Sequence, residues 1–114
     1  MAKVVEILIY TLTSGAGDDF HSIMKDVSVP LHLDNGIDVV WYGPSLHCAD
    51  GYILIRAFPD IPSLKSSQDT FYKSDAWRLG PREAIVSKIE KSMKAVIDMP
   101  DGAIDAIRKS GTLL

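Results

Sequence analysis

The 114-residue sequence predicts one α+β domain ordered β-α-β-β-α-β, followed by a C-terminal helical tail. Three observations carry that expectation. Four apolar runs, about 4–12, 37–42, 52–58 and 93–99, have strand length and are rich in β-branched or aromatic residues. Apolar residues recur at helical spacing between the first and second runs and again between the third and fourth. Gly, Pro and Asn punctuate the joins, with no internal repeat and no linker. A chain of this length buries roughly two-thirds of its unfolded surface, so its core requires neither disulfides nor a structural metal.

Composition narrows the class further. Hydrophobic residues make up 46% and charged residues 24%, and mean hydropathy is +0.09, which excludes disordered, collagenous and low-complexity chains. Twelve basic and fifteen acidic residues give a net charge of −3, and no basic run marks a nucleic-acid footprint. The one cysteine, Cys48, has no internal disulfide partner, and nothing requires an oxidising compartment.

The first strand, about 4–12, places Val5, Ile7 and Ile9 on one face and Leu8, Tyr10 and Leu12 on the other. Lys3 and the apolar run after it, with Ser14-Gly15-Ala16-Gly17 behind, have the outline of a short export signal. Glu6 interrupts the run, however, so a buried strand of a cytoplasmic protein is expected. No stretch approaches the roughly 20 apolar residues of a membrane span. Asp18 and Asp19 suit a helix N-terminus, and Phe20, Ile23, Met24 and Val27 form its apolar stripe. Pro30 is expected to interrupt that helix, with Leu31 and Leu33 in a last turn stopped by Asn35-Gly36.

The second strand ends at Gly43-Pro44, and a loop carrying His47, Cys48, Asp50 and Gly51 leads into the third. Pro59 and Pro62 are expected to close the third strand. Ser63 would then cap a helix with Leu64, Gln68 and Phe71 on one side. Ser74-Asp75 reads as a fresh cap before Ala76-Trp77, and Pro81 suits a first helical position ahead of Ile85 and Ile89. In the fourth strand Met93, Ala95, Ile97 and Met99 alternate with Lys94, Val96 and Asp98. Pro100 ends it, and Ala103, Ile104 and Ile107 suggest a short helix closed by Gly111.

This order matches a ferredoxin-like split βαβ plait, an antiparallel four-stranded sheet with the last strand at an edge. Helices cover only one face of such a sheet, yet the first and third strands are apolar on both. A second copy of the same sheet is the expected cover.

Several segments resemble the NIPSNAP family of the dimeric α/β-barrel superfamily. Glu6-Ile7, Tyr10-Thr11-Leu12, Gly15 and Asp18-Asp19-Phe20 resemble its strand-turn-helix signature. Pro30-Leu31 and Asn35-Gly36-Ile37 resemble its helix exit and second-strand entry. Ser63-Leu64 and Ser74-Asp75-Ala76-Trp77 resemble its second-helix start and its Asp-x-Trp feature. Leu8 stands where an arginine is common and Ser14 where a proline is common. The resemblance runs over about 4–99, leaving a tail of 100–114 within one domain of 1–114. It implies a homodimer packed sheet face to sheet face and little about chemistry. The wider superfamily holds cofactor-free oxygenases, haem-degrading enzymes, isomerases and cyclases, which is analogy at the level of fold.

Motifs for chemistry are sparse. His21, His32 and His47 lack metal-ligand spacing, and His47, Cys48 and Asp50 read as a solvated loop with a packed thiol, so no metal is expected. There is no G-x-S-x-G elbow, no phosphate loop and no cofactor motif. His21 falls on the flank of the first helix as a boundary residue or a general base. The more informative residues are polar or aromatic groups inside aliphatic strands. Glu6 shares a face with Tyr10, and Arg56 shares one with Tyr52, Leu54 and Phe58. The first and third strands are neighbours in this plait, so Glu6 and Arg56 are placed to pair across the sheet. The pair reads either as a salt bridge at a dimer interface or sheet end, or as part of a pocket. Tyr10, Tyr42, Trp41 and Trp77 are core packing or aromatic walls, and Asp75 caps a turn beneath which Trp77 plugs the core.

Two functions follow as expectations. One is a small apolar or aromatic molecule held between sheet and helices by Glu6, Tyr10, His21, Arg56 and Trp77, suited to cofactor-free acid–base or oxygenase-type chemistry. The alternative is a non-catalytic dimeric binding or interaction module, supported by the absence of a catalytic motif. Neither involves nucleic acid or a membrane.

Overall fold

A computed structural model describes residues 1–111; residues 112–114, the end of the expected tail, lie outside the described residues. Four strands, β1 (Ala2–Leu12), β2 (Asp38–Pro44), β3 (Gly51–Phe58) and β4 (Ile89–Pro100), form one antiparallel sheet in the order β2-β3-β1-β4. The chain is the α+β plait with a ferredoxin-like arrangement, and β4 is the edge strand.

Between β1 and β2 the chain is helical from Gly17 to Asp34. Helix α1 (Gly17–Ile23) passes through a π-helical segment, Met24–Ser28, into α2 (Val29–Asp34). Pro30 therefore does not interrupt the helix as expected. The Val29 N–H reaches five residues back to the Met24 carbonyl, and this wider turn makes room for a ring that would clash with a carbonyl four residues earlier. Gly36, with φ +75°, ends α2.

Helix α3 (Ile61–Lys73) starts earlier than the Ser63 cap predicts. Asp60 is the cap, its carboxylate accepting the Ser63 N–H at 2.7 Å. Pro62 lies inside the first turn, where its missing N–H is harmless. Two short helices follow, α4 (Asp75–Arg78) and α5 (Arg82–Val86). Ser74 rather than Asp75 caps α4, accepting the Trp77 N–H. Ile89 belongs to β4 and not to a helix with Ile85.

These helices cover one face of the sheet. Val4, Leu8 and Leu12 of β1 and Tyr52, Leu54 and Phe58 of β3 pack there against Phe20, Met24, Leu64, Phe71, Trp77 and Ile85. The other face has a separate, smaller core. Helix α6 (Asp101–Gly111) turns back beneath the sheet and seats Ile104 against Val5, Val40 and Ala57. A register shift between Val39 and Trp41 accompanies the turn of Val40 toward that core. Arg108 of α6 clamps Asp38 of β2 through two hydrogen bonds of 2.7 and 3.0 Å.

Helix α6 covers only part of this face. Ile9, Met93 and Ile97 lie beyond it, 45%, 70% and 43% exposed. Edge strand β4 is uncovered almost throughout, with only Ile89 and Met99 half-buried.

Candidate functional site

The chemistry-bearing residues meet on the helix-covered face, around Glu6 and Arg56. The β1–β3 register sets Glu6 directly opposite Arg56. Side chains in a strand alternate, so both point under the helices together with Leu8 and Leu54. Each is essentially inaccessible, at 0% and 1% exposure. The pair thus sits in the interior between sheet and helices, not at a dimer interface or sheet end. The helices that bury it also supply its partners.

Every atom of the Glu6 carboxylate is occupied. Its Oε1 accepts from Arg56 Nε at 2.9 Å and from Arg56 Nη2. Its Oε2 accepts from Gln68 Nε2 of α3 at 2.7 Å and from Lys94 Nζ of β4 at 3.2 Å. Gln68 is one turn beyond Leu64 on the apolar side of α3. Lys94 stands opposite Leu8, diagonal to Glu6 across the β1–β4 ladder. Arg56 Nη1 donates to Tyr72 Oη at 2.7 Å and to His32 Nε2 at 3.1 Å.

The tautomer of His32 follows from these partners. Its Nδ1 lies 2.7 Å from the Ser28 carbonyl, which only accepts, so Nδ1 carries the proton and Nε2 receives the Arg56 N–H. Burial drives the His32 pKa from 6.5 down to about 4. The Ser28 carbonyl opposes that fall and the Arg56 charge adds to it. For Glu6, burial raises the carboxyl pKa, but the Arg56 charge and the bonds from Gln68, Arg56 and Lys94 outweigh it and hold it below the ordinary value. Burial also works against the Arg56 charge, and the Tyr72 oxygen and Glu6 carboxylate overcome it. The cluster is a fixed ion pair with a neutral imidazole, fully hydrogen-bonded, as a buried charge pair must be.

Next to this cluster a groove of about 460 Å³ runs between α3 and β4. Ile61, Leu64 and Val96 form its apolar walls, and Lys65, Gln68, Asp69 and Lys94 its polar ones. Gln68 and Lys94 belong to both structures: they bind Glu6 on one side and line the groove on the other. The other residues expected at a pocket lie apart from it. Tyr10 packs edge-on against Phe20, ring centroids 5.9 Å apart, with its phenol pKa raised chiefly by burial. Trp77 is buried against Phe71 and Tyr72, at 5.5 and 5.2 Å, and plugs the core. His21 is half-buried and shares a 2.6 Å hydrogen bond with Tyr52, beside Tyr42. Of the five expected residues, the fold joins Glu6 and Arg56 directly, sets Trp77 against their partner Tyr72, and gives Tyr10 and His21 no hydrogen bond to the pair.

His32, Tyr72, Gln68 and Lys94 complete the cluster, and none of them was expected at the pocket. The one signal for them in the sequence was an uncharged polar residue, Gln68, on the apolar stripe of α3. Cys48 is exposed rather than packed. Among the described residues no three His, Cys, Asp or Glu side chains converge as metal ligands, and no helix is long and apolar enough to cross a membrane.

No family model and no curated protein matches the chain. Solved structures do. A NIPSNAP family protein from Agrobacterium tumefaciens superposes with a TM-score of 0.78 at 12% identity, covering 87% of each chain. A second from the same organism, of unknown function, gives 0.77 at 17% identity over 85% of this chain and 87% of its own. An uncharacterized NIPSNAP domain protein from Burkholderia xenovorans gives 0.75 at 15% identity, over 85% and 93%. Those identities establish a shared fold: the chain has the architecture of NIPSNAP family proteins.

Proposed function

We propose that this protein is a homodimer, paired through the open faces of its sheets, that holds a small apolar molecule in the α3–β4 groove of each protomer. One observation carries the reading: the edge strand β4 is left uncovered on both sides. On one side Val96 and Lys94 look into the groove. On the other, Met93 and Ile97 continue the apolar row begun by Ile9. A strand this apolar and this exposed marks contact surface, and the second copy buries its far side. The groove lies within the size range of small-molecule pockets, with apolar walls and a few fixed polar groups.

Within this site Glu6 and Arg56 act as a rigid charged support, since their hydrogen-bonding atoms hold one another and their helical partners. Tyr10 and Trp77 close the core behind that support. The reading favours binding over proton transfer at Glu6, whose lone pairs are already committed.

Two measurements test it. Light scattering at micromolar concentration should give twice 12.5 kDa, and Met93→Asp should give a folded monomer. Native mass spectrometry of the purified protein should show a bound small molecule that Val96→Trp, which fills the groove, excludes. A wild-type monomer sinks the dimer; a Val96→Trp variant that retains the molecule sinks the groove.

A further inference from the structure

The charges around the groove do not balance. The cluster beneath it holds one negative charge, Glu6, and two positive ones, Arg56 and Lys94. The His32 beside them is held neutral by its two hydrogen bonds. The groove wall adds Lys65 and Asp69, one of each sign. The sum is one uncompensated positive charge, and its most accessible bearer is Lys94, whose side chain is 50% exposed. Asp98, four residues from Lys94 on the same face of β4, is outside the lining.

The hydrogen-bonding capacity at the Lys94 end has the same polarity. An ammonium carries three N–H donors, and Lys94 directs one to Glu6. Glu6 Oε2 is also held by Gln68, so Lys94 can turn its remaining donors to a ligand without leaving the carboxylate unpaired. The apolar lining is formed by Ile61 and Leu64 of α3 and by Val96, which adjoins Lys94 on β4. A site with an apolar wall and a cation anchored by a buried carboxylate is complementary to an amphiphile with one negative charge.

We infer that the ligand of the α3–β4 groove is a small apolar monocarboxylate whose carboxylate binds Lys94 and whose body lies against Ile61, Leu64 and Val96. This rests on the reading of the groove as a binding site and adds the ligand's class. The buried Glu6 fixes the ammonium in place, so binding meets a preformed cation rather than a mobile surface lysine.

The test compares 4-phenylbutyrate with its uncharged amide by titration calorimetry on the full chain at pH 7.5. The carboxylate should bind about tenfold more tightly than the amide, a difference typical of a partly desolvated charge-assisted contact. Lys94→Met should abolish that difference, and Lys94→Arg should retain it. Val96→Trp should weaken both. Equal binding of the two probes to the wild type overturns the monocarboxylate assignment and leaves the groove standing as a site. So does a preference that survives in Lys94→Met. Binding of both probes unaffected by Val96→Trp overturns the groove itself, and so does failure of both probes to bind the wild type.

Discussion

On the helix side of the sheet, Glu6 and Arg56 are 0% and 1% exposed. On the opposite side Ile9 and Ile97, in the same or the adjacent strand, are 45% and 43% exposed. Polarity alone would assign them the other way round. The difference is coverage: α1 to α5 roof β1 and β3 on one face, whereas on the other α6 seats Ile104 against Val5, Val40 and Ala57 and leaves Ile9, Met93 and Ile97 beyond it. A charged pair is tolerated in the roofed face because Gln68, Lys94, Tyr72 and His32 answer its hydrogen-bonding groups. The apolar residues of the open face have no such cover within the protomer; in the dimer we propose, a second copy supplies it. The two faces therefore respond differently to perturbation.

The largest expected effect is on the roofed face. Arg56→Ala leaves Glu6 buried without its main counter-charge and should cost about 3–5 kcal/mol in urea unfolding. The double variant Glu6→Leu/Arg56→Met removes both charges and should recover most of that loss. A single variant as stable as the wild type would show the interior to be wetter than its exposures state.

Acid should come next. The His32 pKa falls from 6.5 to about 4 on folding, so between those values the unfolded chain binds more protons. The neutral-His32 contribution, about 3 kcal/mol, is whole above pH 6.5 and is lost as the pH falls through 4. Glu6, with its pKa lowered from 4.5, loses stabilisation in the same direction at lower pH. Unfolding curves at pH 7.5, 5.5 and 4 should show the decline, and His32→Gln, which keeps an acceptor for Arg56, should flatten it. An equal slope in both proteins assigns the acid sensitivity elsewhere.

The second face should respond less. Ile104→Ala removes the one fully buried side chain of α6 and should cost about 2 kcal/mol, the low end for such truncations, since the open face can collapse around the gap. Smallest is Arg108→Ala. The Asp38–Arg108 bridge is 35–40% exposed, so its loss should shift stability by less than about 1 kcal/mol. A larger change would mean that α6 is seated by its clamp more than by Ile104.

How much of this was legible in the chain depends on the period of each element. In the strands the period is two and the plait fixes the neighbours, so the Glu6–Arg56 pairing followed from the sequence. Edge strand β4 followed in the same way, and the tail helix from the helical spacing of Ala103, Ile104 and Ile107. The helical partners did not. Tyr72 follows Phe71 on α3, and one turn separates Gln68 from Leu64, so the apolar stripe masks them. Lys94 read as the polar side of an edge strand, which it also is. His32 was hidden by the break expected at Pro30, because the residues beyond a broken helix have no fixed phase relative to those before it.

That phase is what the π-helical segment at Met24–Ser28 controls. Phe20, Met24, Ser28 and His32 are all buried, each four residues from the next. In an unbroken α-helix residues four apart drift by about 40°, so three such steps would carry His32 about 120° away from Phe20. The wide turn advances less per residue and cancels much of that drift. It works as an angular spacer between the aromatic core at one end of the helix and the arginine at the other. Removing a single residue from this turn would leave the composition nearly untouched and still swing the imidazole off its guanidinium. In this chain an irregularity of one residue keys the helix to the sheet.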